Sequence, residues 1–265
     1  MVAMGLAQDP RLRAVRWRDL LALSKGEIAW ELALSAPWLA VALLGFHAEW
    51  YVAALLSSFF FFLTGLRQVH NACHYMLGIS RWLCDVGLLL LSVLMLSAMH
   101  AVQVTHLHHH RHCLDEDDVE AATAKLPAWR ALLLGPLHPV RLHYWGFCLG
   151  NRSKRLWIAG EVAAITVTLL LVFAVLDIWA LKCLAVTMLV GECFTGFFAV
   201  WSVHHDCSRS EIARTQRGWL KNFVSYNMLF HLEHHLFPNV PTCHLPKLAR
   251  RIDRAAPQLR TKNVY

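Results

Sequence analysis

Charge is what this chain has least of. Asp, Glu, Lys and Arg together supply 16% of its 265 residues, hydrophobic types supply 57%, and mean hydropathy is +0.41. So apolar a composition excludes a disordered chain and argues against an ordinary soluble domain. Gly and Pro are modest at 13 and 9, which excludes a collagen-like chain. The eight cysteines include no Cys-x-x-Cys pair, and the N-terminal residues lack a signal-peptide layout. The cysteines therefore read as buried small hydrophobes in a reducing compartment, with no iron–sulfur set among them. No Gly-rich flavin or nicotinamide fingerprint is present either. The net charge of +7 does not point to nucleic acid, because the basic residues lie in blocks between apolar runs.

What is present is long apolar sequence. Four stretches approach the roughly 20 apolar residues that a bilayer crossing requires: Ile28 to Phe46, Tyr51 to Leu66, Leu156 to Leu176 and Ile178 to Val203. Short turns at 47–50 and at Asp177 join them into two tight hairpins, and no domain boundary interrupts residues 1–265. Arg and Lys cluster before and after each hairpin, at Arg11 to Lys25, Arg67, Arg81, Arg152 to Arg155, and Arg209, Arg214, Arg217 and Lys221. By the positive-inside bias, both termini are expected on the cytoplasmic side. Trp50, Trp157, Trp179 and Trp201 fall near span ends, where amphipathic rings favour the interface. The fold expected is all-α and integral to the membrane, with four transmembrane helices in two hairpins, interfacial helices and a cytoplasmic histidine-rich cap. A fifth apolar run, Val86 to Thr105, also has the length of a crossing. Histidine clusters flank it on both sides, and a single crossing would put them on opposite faces of the membrane. It is expected to lie along the interface, to re-enter, or to cross twice in short pieces. Ala131 to Leu149, broken by Pro136 and Pro139, suits an interfacial helix pair.

Seventeen histidines are present, most of them clustered. His70 and His74 are spaced i, i+4, which puts both rings on one helical face. His106, His109 and His110 are spaced i, i+3, i+4, and His231, His234 and His235 repeat that spacing. Imidazole suits iron, zinc, copper and nickel, and eight rings exceed the need of one tetrahedral ion, so two ions are the economical reading. His204 and His205, just past the last span, offer a further ligand. His47, His100, His138, His143 and His244 read as structural or interfacial, and His108 and His112 as outer contacts or solvent-facing.

These residues resemble the membrane fatty acid desaturases and their hydroxylase relatives, which carry three histidine boxes. The matching text is HNACH at His70, HLHHHRH at His106, and HLEHHLFPNVP at His231 followed by LPKLA at Leu245. The resemblance spans about Phe46 to Ile252. It implies a non-haem di-iron centre held by the boxed histidines, with a ninth ligand at His204 or His205. It also implies O2-dependent desaturation of a fatty acyl chain or similar aliphatic substrate, with hydroxylation or ketolation of a carotenoid or small metabolite as the nearest alternative. Such a reaction consumes electrons, and the chain has no cofactor domain of its own to deliver them. His138-Pro139 continues as Val140-Arg141, not as the Gly-Gly of a cytochrome b5 haem loop. An external carrier, ferredoxin or cytochrome b5, is therefore implied, and the basic loop residues could steer an acidic one.

Asn227, four residues before His231, is a candidate to hydrogen-bond a water on the metals, or else to satisfy local backbone. Glu161 and Glu192 lie within spans, where a carboxylate needs a function or a partner. For Glu192 a protonated, interhelical hydrogen bond is preferred over substrate contact. The run Asp115 to Asp118 reads as a solvated loop or as support for His110 or Arg111. A membrane metal transporter is the rival of a different class, but it would need ionisable ligands inside the spans.

Overall fold

Capping signals in the sequence account for where several helices begin. Ser24 Oγ accepts the Glu27 N–H at 3.3 Å while Glu27 Oε2 accepts the Ser24 N–H at 2.8 Å, a reciprocal cap. Ser80 and Asn151 each accept an N–H from three residues further on. In the computed structural model, which describes residues 10–208, 211–257 and 262–264, the main helices are α1 (Lys25–Ala33), α2 (Ala36–His47), α3 (Tyr51–Cys73), α4 (Arg81–Met95) and α5 (Met99–His112). They are followed by α6 (Leu137–Leu149), α7 (Arg152–Leu170), α8 (Trp179–Glu192), α9 (His231–Leu236) and α10 (Leu245–Ala255). No strand occurs among the described residues.

Four helical segments are long and apolar enough to cross a membrane: Lys25–His47, Tyr51–Cys73, Arg152–Val175 and Trp179–His204. Leu44, Val52, Leu56, Leu170 and Val175 stand exposed along them, as side chains facing acyl chains do. The inward seam between α2 and α3 uses small residues. A Cβ added to Gly45 would lie 3.0 Å from that of Ala54, so the close approach depends on glycine. The second expected pair differs. Asp177 turns the chain at φ 37 and holds Lys182 at 2.6 Å, but α8 then packs chiefly on α2 and α3, while α7 packs on α4 and α5.

The fifth apolar run is not one straight span. α4 and α5 meet at 114°, and Leu96 makes the corner in the left-handed region at φ 61. The bend leaves the first N–H groups of α5 without helical acceptors. Ala98 N–H donates to His143 Nε2 at 2.7 Å, Met99 N–H to Ser92 Oγ at 2.9 Å, and His100 N–H to Glu161 Oε2 at 3.0 Å. Glu161 thereby finds the partner its depth requires, and its Oε1 also meets His100 Nδ1 at 2.6 Å. The other side of His100 faces Asp85 at 3.0 Å, and Lys154 reaches the same carboxylate at 3.0 Å. His100 and His143 are thus structural, and what they hold is the corner. α6 lies so close on α5 that a Cβ on Gly146 would come within 2.7 Å of Ala101.

Some expectations do not survive packing. Trp201, near the end of its span, is buried against protein: its ring stacks on Phe197 and His205 and its Nε1 donates to Leu126 O at 2.8 Å. Trp157 stacks on His100. Only Cys73, Cys84 and Cys113 of the eight cysteines are buried, and Cys148 is exposed.

Candidate metal centre

Each histidine box is delivered by a helix whose other residues anchor it. At the end of α3, Arg67 forms an ion pair with buried Glu31 and donates to Tyr226 O at 2.7 Å, while Asn71 donates to Glu31 at 3.0 Å and accepts from Thr242 Oγ1 at 2.7 Å. In α9, Leu232 and Leu236 are buried with Leu245, Leu248 and Ile252 of α10, which leaves the histidine face free to point the other way. Glu233, within the third box, is fully buried. It accepts from Thr215 Oγ1 at 2.7 Å and from Arg217 at 2.5 Å, and Arg217 also holds Asp253 at 2.8 Å.

The boxes converge. His70, His74, His106 and His234 form one group and His109, His204, His231 and His235 a second, with the nitrogens of each group within 4.8 Å of one another. His110 joins the first group through its Nε2, 2.8 Å from His234 Nε2 and 3.2 Å from His106 Nε2. The remaining Nε2 pairs are as close: His70 to His234 at 2.9 Å, His109 to His204 at 3.2 Å and to His235 at 3.3 Å, His231 to His204 at 2.9 Å and to His235 at 3.1 Å.

Three of these rings have an acceptor at the far nitrogen. His106 Nδ1 faces Glu120 at 2.9 Å, His109 Nδ1 faces Asp118 at 2.8 Å, and His204 Nδ1 faces Ile212 O at 2.8 Å. An acceptor at Nδ1 holds the proton there and leaves a bare lone pair at Nε2. His109 and His204 turn two such lone pairs toward each other at 3.2 Å, and these repel unless a cation lies between them. Nitrogens about 2.1 Å from a metal ion are separated by about 3.0–3.4 Å at right-angled to tetrahedral geometry, close to the 2.8–3.3 Å found here. Burial, and then the neighbouring rings, push His231, His234 and His235 well below the ordinary histidine range, and burial takes His74 down to about 3. These rings stay neutral and keep their lone pairs. Buried Nδ1 of His70, His234 and His235 and Nε2 of His74 have no hydrogen-bond partner among the described residues. The donor set therefore fits two cations held by imidazole.

Nine of the ten histidines singled out from the sequence meet at this centre. The tenth, His205, does not: it stacks on Trp201 at 3.9 Å and its Nδ1 donates to Trp201 O at 2.8 Å. Adjacent residues at a helix end point to different sides, and here the first of the pair faces inward. Asn227 sits in the turn leading to α9 at φ 65. Its backbone N–H donates to Asn222 O at 2.8 Å and its backbone carbonyl accepts from Phe230 N–H at 3.3 Å, which fixes the turn in front of the third box. Sequence reasoning missed Glu120 and placed Asp118 in support of His110 or Arg111, whereas it holds His109. The signal was a carboxylate a short turn beyond the box. Glu192 is buried beside the Ser97 side chain of the bend between α4 and α5, and its Oε1 has no partner among the described residues. Of the loop bases expected to steer a carrier, Arg217 is committed to Glu233 and Asp253, and Arg214 to His205 O, Asn263 O and Asp206. Lys221 is exposed, and Arg209 lies outside the described residues.

Four apolar spans with an all-imidazole centre at their ends define a class, the integral membrane proteins built around clustered histidines. A family model for fatty acid desaturases matches residues 48–262, and the chain belongs to that family. It is an oxidoreductase of the desaturase and hydroxylase type. No curated protein and no solved structure matches it significantly.

Proposed function

We propose that this protein is a di-iron desaturase that uses O2 to introduce a double bond into a fatty acyl chain or a similar aliphatic substrate. The observation that carries this reading is the convergence of nine imidazoles in two groups. His70, His74, His106, His110 and His234 would hold one iron, and His109, His204, His231 and His235 the other. Bound iron supplies redox chemistry toward O2 strong enough to attack an unactivated C–H bond, which zinc, without redox states, does not. The chain's own residues do the rest. Asp118, Glu120 and the Ile212 carbonyl keep protons at Nδ1 of their histidines and fix the ring planes. Buried walls exclude water from the oxidising centre, and the apolar spans retain a substrate that partitions into lipid. Asn227 is proposed to hold a water beside the centre. Electrons come from an external ferredoxin or cytochrome b5, and the boxes and both termini face the cytoplasm.

Expression in a host followed by mass spectrometry of its lipids and metabolites tests the reading. A new product lacking two hydrogens supports desaturation, and a product with one added oxygen assigns a hydroxylase or ketolase instead. Zinc in purified active protein, with no substrate-dependent O2 uptake in the presence of a reductant, overturns the oxidative function.

A further inference from the structure

The centre leaves two histidines of the second box unused. At 3.6 residues per turn, His108 and His112 fall on the face of α5 turned away from His106, His109 and His110. Their rings stack at 4.2 Å with planes 11° apart. Asp117, in the turn after the helix, brings its Oδ2 to 3.2 Å from His112 Nδ1 and 3.6 Å from His108 Nε2. The three donor atoms lie within 4.8 Å of one another, and the Asp117 carbonyl oxygen is 3.2 Å from His108 Nε2. Donors around a first-row ion stand about 3.0–3.4 Å apart, so a small movement of Asp117 closes the set.

We propose that His108, His112 and Asp117 form a third cation site, separate from the nine-histidine centre, for a divalent first-row metal such as Zn2+ or Ni2+. Imidazole with carboxylate and carbonyl oxygen suits such an ion. All three side chains reach solvent, so water completes the coordination and the ion exchanges freely. The neighbouring residue gives the site its consequence. Asp118 holds His109 Nδ1 and the N–H groups of Leu114 and Ala121, so an ion that ties Asp117 back onto α5 also fixes the turn that orients His109. The site does not depend on what reaction the centre performs.

The test uses untagged, purified full-length protein washed with a weak chelator and then titrated with Zn2+, with bound metal counted by mass spectrometry. Wild type is expected to take up one exchangeable equivalent that the H108A/H112A double variant lacks and that D117N binds at least about ten-fold more weakly. Tightly held metal should be the same in all three. Co2+ in place of Zn2+ should give wild type a visible absorption absent from the double variant. If the double variant does not fold, D117N, altered at an exposed position, carries the comparison. Equal uptake by wild type and variants, or no exchangeable equivalent in wild type, overturns the proposal.

Discussion

The two imidazole groups are built from the same motif used in opposite senses. In the second box the i, i+4 pair, His106 and His110, goes to the first group and His109 to the second. In the third box the i, i+4 pair, His231 and His235, goes to the second group and His234 to the first. Each H-x-x-H-H helix therefore lies between the groups and contributes to both. The groups differ in how firmly their outer nitrogens are held. In the second, His109 and His204 have Nδ1 acceptors and His235 Nδ1 is unpartnered among the described residues; in the first, only His106 has a carboxylate at Nδ1, and the Nδ1 atoms of both His70 and His234 are unpartnered. One group is oriented by hydrogen bonds and the other more by the packing of its helices, so they should respond differently to substitution.

The largest effect should come from either group alone. H109A and H234A each remove one ligand from one group, and both are expected to abolish turnover while the protein still inserts into membranes. Retained turnover in either variant breaks the assignment, and metal analysis should show the loss confined to one ion's worth. Next, D118N and E120Q sharpen the difference between the groups. Removing the carboxylate that orients a metal-bound imidazole costs about 10–100-fold in metal affinity or activity. D118N is expected at the upper end, because Asp118 is buried and also anchors two backbone N–H groups of the turn. E120Q is expected at the lower end; the reverse order in a chelator competition would contradict the comparison.

The third prediction concerns stability. R217Q leaves the buried Glu233 carboxylate without its cation and should cost about 3 kcal/mol, read as a lower melting temperature in detergent. Because Glu233 lies in the third box, metal retention should fall in parallel, and a variant with normal stability would show that Thr215 alone satisfies the carboxylate. The smallest effect is expected at His205. H205A removes a ring stacked on Trp201, costing about 1 kcal/mol of packing, and should leave the metal content unchanged. Loss of an ion in H205A would make it a ligand after all.

The spans and the boxes were legible because each is a local pattern. Apolar length alone marks Tyr51 to Leu66, and helical spacing alone marks His231, His234 and His235 as one face. The corner between α4 and α5 was legible only as a requirement, since a single crossing would have parted the boxes. Its means were hidden: Glu161, His100 and Asp85 are distant in sequence and meet only when α7 packs on the bend. Choosing His204 over His205 was likewise beyond local pattern, as was the pairing of Asp118 with His109, because both depend on which way a short segment faces.

The sequence by itself determined that this chain enters a membrane and that its histidines lie in helical sets, since hydropathy and residue spacing act within a few turns of chain. Only the tertiary structure decided which imidazoles stand together in each group and which carboxylates orient them. Those contacts join helices far apart in sequence, and a ring's partner is fixed by packing between elements, not by the motif that carries it.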